Sequence, residues 1–334
     1  MTRFALALAL LSGCVSSRHA DSGRQSPTHV LDPTSGQQLE RFEYAAPKMG
    51  TEFRIVFYAP DREAANAAAD SAWARADSLE ALFSDYRPES ELNKISDAPA
   101  ESWTRVSPDV LRILRLSMQY SAATGGAFDV TIGPLSRLWR HAIRRNTLPD
   151  SADVSAAKES VSYRNIVLAA HRSEVALRLD GMRLDLGGIA KGYTADAVID
   201  VLASFGLRYA LVDAGGDLAV GDAPPGEPGW RIAVTETGEA GNPNQVIRTI
   251  ANCGVATSGD RYRNVEHNGI RYSHLIDPRT GWGVAHSETV TVIAPTATQA
   301  DALASAYSVL GVDSRYEPPG GVEVLFARSS SGKP

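Results

Sequence analysis

The sequence predicts an α+β fold: a mixed or antiparallel sheet core with helices inserted between its strands. Strand-like runs follow one another in hairpin order, and helical patterns interrupt them instead of alternating one for one, which disfavours a doubly wound parallel sheet. At 334 residues the chain can bury a large core, as one domain or two joined lobes.

Residues 54–59, RIVFYA, read as a strand. An alanine-rich helix follows over 61–83, with Trp73, Leu79, Leu82 and Phe83 available for its buried side. Ser107 caps the next helix, Pro108 suits its first position, and Val110, Leu111, Leu114 and Met118 form a buried stripe that Gly125 and Gly126 end. Val175, Leu177 and Leu179 alternate before Asp180-Gly181, and Met182, Leu184 and Leu186 alternate after it, so a hairpin is expected there. Further strands are expected at 209–212, 230–235, 246–255, 271–276 and 289–293. A final helix over 298–310 and a short strand over 322–326 complete a body of residues 40–328, and 329–334 form a disordered tail.

Residues 1–13 read as a lipoprotein signal peptide: Arg3 precedes an apolar run over 4–11, and Leu11-Ser12-Gly13-Cys14 matches a lipoprotein cleavage box. The apolar run falls short of the ~20 residues a spanning helix needs. Cys14 would carry the lipid, with a plain cleaved secretory signal as the alternative. Val15 in place of Asp slightly favours the outer over the inner membrane of a Gram-negative cell, with the body facing the periplasm. Residues 14–39, rich in Ser, Gly, Pro, Gln and His, are expected to form a flexible tether. Cys253 is the one other cysteine, so no intrachain disulfide with a lipidated Cys14 is possible, and it reads as a buried small hydrophobe. A net charge of -6 with no basic run argues against nucleic-acid binding.

The segment RLDLGGIAKGYTAD (183–196) places a carboxylate, two glycines and a lysine where a strand turns into a helix. Open N–H groups at a helix start, glycines that admit a ligand to the backbone, and a mobile cation suit a phosphate. The segment matches neither the Walker A loop nor the G-x-G-x-x-G fingerprint.

TGGAFDVTIGPL (124–135), ATSGD (256–260), SHLIDPRTG (273–281) and TATQADALASAYSVLG (296–311) accompany that junction in the order and spacing of the ApbE family, and FSDYRPESELNKIS (83–96) is similar to it too. The resemblance spans residues 40–326. It implies a T-fold-like architecture and an FAD:protein FMN transferase, which splits FAD with magnesium, joins FMN through its phosphate to a threonine of an acceptor protein, and releases AMP. The acceptor would be a membrane or exported redox subunit. FAD hydrolysis to FMN and AMP, or FAD binding without chemistry, are the competing functions.

The resemblance assigns the metal to Asp301, Ser305 and the backbone carbonyl of Gly188. Asp301 and Ser305 stand four apart on the last helix, and Ser305 replaces the family's usual threonine. Without the resemblance, Asp301 as a first-turn carboxylate and Ser305 as a small packing residue are the simpler account. For the flavin dinucleotide it carries over Met49, Ala127, Phe128, Asp129, Asp185 and Lys191, with Tyr86 and Asn93 as pocket walls. Met49 and Phe128 would pack on a ring, Asp129 and Asp185 would accept hydrogen bonds, and Lys191 would offset diphosphate charge. Each also has a plainer structural reading as core, turn or surface residue. His274, at a turn-rich strand exit, is the general base for the incoming hydroxyl, oriented by Asp277, or else a residue that shapes its loop. Asp217, in DAGGDLAVGD (213–222), reads as a turn carboxylate.

Overall fold

The computed structural model describes residues 29–237, 243–259, 264–267, 269–285, 288–312 and 314–328. The signal peptide with Cys14, and the tail, lie outside the described residues.

The chain opens with β1 (His29–Leu31), β2 (Gln38–Lys48) and β3 (Thr51–Ala59). Met49 and Gly50 alone join β2 to β3, both with positive φ (50° and 76°), the backbone that a two-residue hairpin requires. Helix α1 (Arg62–Phe83) starts at Asp61, which accepts the N–H of Ala64 at 2.9 Å. Then come α2 (Glu91–Asp97), β4 (Thr104–Arg105), α3 (Pro108–Ala123), α4 (Gly133–Arg145) and α5 (Ser151–Glu159). Strands β5 (Ile166–Ala169) and β6 (Glu174–Leu177) precede α6 (Ala190–Ser204). The second half holds β7 (Ala210–Ala214), β8 (Leu218–Val220), β9 (Trp230–Thr237), β10 (Pro243–Ile250), β11 (Cys253–Ser258), β12 (Asn264–His267) and β13 (Ile270–Ser273). It closes with β14 (Glu288–Ala294), α7 (Ala297–Leu310) and β15 (Glu323–Arg328).

Eight strands form the main sheet in the order β1-β2-β3-β7-β8-β11-β14-β15, with every neighbouring pair antiparallel. Helices α1, α6 and α7 pack side by side against it. Small residues permit this: Ala65, Ala68, Ala69, Ala72 and Ala76 form the buried side of α1, packed with Phe53, Ile55, Phe57 and Val212 of the sheet. Ala300, Leu303 and Ala304 of α7 meet Ala256, Val290 and Val292. A second cluster joins the end of α1 to α2, α3, β5, β6 and residues 182–190, through Leu79, Phe83, Leu92, Leu114, Leu177 and Leu184.

Two polar clamps hold α6. Asp196 accepts the N–H groups of Ala297 and Thr298 at 2.9 and 2.8 Å, so a carboxylate on α6 caps α7. Asp109 at the start of α3 receives both terminal nitrogens of Arg75 from α1, at 2.8 and 2.6 Å, and the Tyr193 hydroxyl at 2.8 Å.

The α+β expectation holds, and several details are corrected. The tether narrows, because His29–Leu31 pairs with 38–40 as an edge strand and Asp32 closes the intervening turn on Thr34 and Ser35. The inward side of α1 is mostly alanine, with Trp73 and Leu82 only partly buried. The hairpin at Asp180-Gly181 does not form. Residues 182–186 run instead against 130–133, with the Asp185 N–H on the Val130 carbonyl (2.7 Å), the Gly133 N–H on the Arg183 carbonyl (3.2 Å), and the Leu184 N–H on Ser96 Oγ. Those partners satisfy the backbone that a hairpin would otherwise pair, and β6 pairs with β4 and β5. The single strand expected over 246–255 is two, β10 and β11, broken at Asn252 with φ 52°.

Candidate active site

The extended segment that leads into α6 is a site because of what reaches it from elsewhere. Ile189 precedes α6 without capping it through its side chain. The Gly192 N–H in the first turn finds its acceptor on α7, donating to Asp301 Oδ2 at 3.0 Å. Gly188 is needed for space: a Cβ there would lie 2.8 Å from Ser305 Oγ and 3.4 Å from the Phe128 ring. Asp301, Ser305, Gly188 and Phe128, distant in sequence, are thus gathered where α6 begins.

A cleft of about 660 Å³ opens at this point. Ala127, Phe128 and Asp129 line it from the loop after α3, Trp139 and Arg140 from α4, Asp185, Gly188 and Lys191 from the junction, His274 from the exit of β13, and Ser305 from α7. Tyr86 also faces it, while Asn93 is buried behind, its side-chain amide donating to the Arg87 carbonyl at 2.9 Å and holding the Tyr86 loop. Asp129 builds the loop it sits on. Its carboxylate accepts from the Thr131 N–H (2.8 Å), the Thr131 hydroxyl (2.7 Å) and the Tyr163 N–H (2.7 Å), and burial pushes its pKa above the usual range.

Asp185 accepts the Gly187 N–H at 2.9 Å and an Arg140 nitrogen at 2.9 Å. The other terminal nitrogen of Arg140 bonds Asp85, and the guanidinium lies over the Tyr86 ring, 4.9 Å from its centroid. Arg140 therefore ties two carboxylates and an aromatic ring into one wall. Sequence reasoning missed it, because its partners lie 45 and 55 positions away.

A smaller cavity of about 180 Å³ shares Gly187, Lys191, His274, Leu275 and Ser305 with the cleft and adds Asp217, Thr257, Ser258 and Asp301. Lys191 Nζ lies 2.5 Å from Asp217 Oδ2 and 3.7 Å from Asp301 Oδ1. Burial works against the Lys191 charge, but the two carboxylates outweigh it and hold its pKa above the ordinary value. Burial and the neighbouring Asp301 push Asp217 upward, against the pull of Lys191. Asp217 is corrected from a turn carboxylate to a partner of the site lysine, and the signal for it was the residue type in a glycine-rich turn.

Two residues sit differently from expectation. Met49 does not line the cleft. It is half buried between two core clusters, its N–H donates to Glu80 at 3.0 Å, and its sulfur lies 3.5 Å from the Thr194 hydroxyl. Asp277 is turned to Arg279, its two oxygens receiving the N–H, Nε and Nη2 of that residue at 2.8 to 2.9 Å. The His274 segment is placed from behind. Trp139 donates to the Gly281 carbonyl at 2.9 Å and packs with Tyr272 and Trp282, while the N–H of Ser273 bonds the Val284 carbonyl at 2.9 Å.

The donors around Asp301 suit a hard cation: a carboxylate and a hydroxyl one helical turn apart, with the Gly188 backbone beside the hydroxyl. Among the described residues no group of three or more His, Cys, Asp or Glu could hold a metal by itself. The set fits an ion that keeps open positions for water and phosphate oxygens, as magnesium does.

The family model described as "ApbE family" matches residues 49–326. A Klebsiella pneumoniae (strain 342) protein named FAD:protein FMN transferase is 33% identical over 322 residues, covering 93% of this chain and 87% of that protein. One of the same name from Treponema pallidum (strain Nichols) is 31% identical over 293 residues, covering 83% and 80%. Among solved structures, the Pseudomonas stutzeri flavinyl transferase ApbE in its apo form superposes with a TM-score of 0.75 at 27% identity, covering 87% of this chain and 95% of that one. The ApbE protein of Thermotoga maritima does so with 0.74 at 29%, covering 87% and 97%.

Proposed function

The chain belongs to the ApbE family and acts as an FAD:protein FMN transferase, and from that premise we propose how its two cavities divide the reaction. The cleft takes FAD, and the smaller cavity takes its diphosphate, a magnesium ion and the acceptor hydroxyl. The observation that carries this reading is the shared wall: Lys191, His274 and Ser305 face both spaces, so a diphosphate at their junction meets cation, base and metal ligands together.

Phe128 offers a ring face, Asp185 accepts hydrogen bonds from ring or ribose groups, and the Lys191 ammonium offsets diphosphate charge. Asp301, Ser305 and the Gly188 carbonyl would hold magnesium, which supplies charge neutralisation at the phosphate oxygens. His274 takes the proton of an acceptor threonine as its oxygen bonds to the FMN phosphorus. The phosphorus–oxygen bond to AMP breaks, and AMP leaves with both bonding electrons. The threonine belongs to a membrane or exported redox subunit. The lipoprotein box ending in Cys14 supports attachment to a membrane facing the periplasm, with the outer membrane favoured by Val15.

Incubating the purified chain with FAD, magnesium and a candidate acceptor tests this reading. The expected outcome is AMP release together with flavin fluorescence that stays on the acceptor through denaturing electrophoresis. AMP without labelled protein would make water the acceptor, and binding without turnover would remove the catalytic assignment. Cys14→Ser is expected to move the protein from the membrane to the soluble fraction.

A further inference from the structure

We propose that Asp217 is a positioning residue whose carboxylate holds the Lys191 ammonium away from Asp301, leaving Asp301 open to a cation. The proposal rests on the magnesium reading above and assigns a role to a residue outside its ligand set.

Asp217 is placed by the sheet. It follows Gly215 and Gly216, whose φ values of 70° and 101° would be strained for other residues, in the tight link from β7 to β8. Its carbonyl accepts the Ala214 N–H at 2.8 Å. A Cβ on Gly215 would lie 2.5 Å from Thr51 Oγ1, so β3 closes the turn from outside. The Asp217 side chain is 6% exposed, as is that of Asp301. Two such carboxylates facing one small cavity need compensation, and among the described residues Lys191 is the cation that reaches them.

The compensation is uneven. At 2.5 Å the ammonium is bound to Asp217, whereas 3.7 Å to Asp301 exceeds a normal N–H···O bond. Asp301 Oδ2 is taken by the Gly192 N–H, so Oδ1 is the oxygen available to a metal. Asp217 and Lys191 neutralise each other, and among the described residues of the cavity the charge left over sits on Asp301. Without the Asp217 charge, the nearest carboxylate for the ammonium is Asp301 Oδ1, and a closed Lys191–Asp301 pair competes with the ion for that oxygen.

The test is a titration of the full chain with Mn2+, followed by its EPR signal, because manganese takes the same oxygen ligands as magnesium. Asp217→Asn keeps the shape and removes the charge, and is expected to weaken Mn2+ binding about tenfold or more, within the range of coupling between contacting residues. Adding Lys191→Met removes the competing ammonium and is expected to restore binding to near the wild-type level. Wild-type affinity in Asp217→Asn, or a double variant no tighter than the single one, overturns the proposal while the metal site stands. Absence of Mn2+ binding by the wild-type chain removes the metal reading and this proposal with it. Should Asp217→Asn fail to fold, Lys191→Met with and without Asp217→Asn decides: once the ammonium is gone, equal Mn2+ affinity in the two chains supports the proposal, and clearly weaker binding in the double variant, which would mean that Asp217 acts on the ion itself, overturns it.

Discussion

Gly192 and Asp301 fasten α6 to α7 at the point where the site is built. The Gly192 N–H donates to Asp301 Oδ2 at 3.0 Å, and a Cβ at position 192 would lie 2.2 Å from the Ala297 carbonyl oxygen and 2.8 Å from Asp301 Cβ. One contact therefore sets both the helix separation and the orientation of the carboxylate assigned to the metal.

Gly192→Ala is accordingly expected to push the helices apart. The nearest atom is backbone, which cannot rotate away, so a cost of ~1–3 kcal/mol or more is expected. Turnover should fall further than stability, because Lys191 and Asp301 move together. Thermal melts alongside AMP release check both; wild-type values in the two assays would show that the junction tolerates the added methyl.

His274→Ala is expected to slow transfer by ~10²–10⁴ with FAD affinity little changed, since a base acts on the incoming hydroxyl and most binding contacts lie along the cleft. Flavin fluorescence titration and acceptor labelling separate the two. Wild-type labelling would reduce His274 to a loop residue.

Arg140→Lys is expected to raise the KM for FAD about tenfold with kcat changed less than about threefold, because a lysine point charge cannot span Asp85 and Asp185 as the planar fork does. The Tyr86 ring also loses the guanidinium it lies against. A fall confined to kcat would instead link Arg140 to the reacting phosphate.

Asp109→Asn should destabilise the fold in a pH-dependent way. The hydrogen bonds from Arg75 hold the Asp109 carboxyl below its usual range, with burial opposing and Tyr193 assisting. Its contribution is complete above the unfolded value of about 3.9 and is lost as pH falls through the lower folded value. The gap in melting temperature between wild type and variant is therefore expected to be widest near neutrality and to close in acid. A gap that persists unchanged at low pH would mean that packing, not charge, carries the interaction.

What the sequence determined by itself is the set of elements and the local chemistry at their ends. The caps at Asp61 and Ser107, the glycine stop after α3, the glycine-lysine start of α6 and the four-residue spacing of Asp301 and Ser305 depend on neighbours within a few positions. Periodicity and hydrogen bonding over that range are written in residue order. Tertiary structure decided which of those groups meet. The apolar alternation of Met182, Leu184 and Leu186 foretold burial correctly but not a partner, and the loop at 130–133 took the backbone bonds that a hairpin would have used. Met49 left the cleft, Asp277 turned to Arg279, and Asp217 and Arg140 entered the site through partners far along the chain. A buried charge settles on whichever opposite charge the packed fold brings within a few ångströms, and that distance follows from the packing of α6 and α7 on the sheet, not from spacing in the chain.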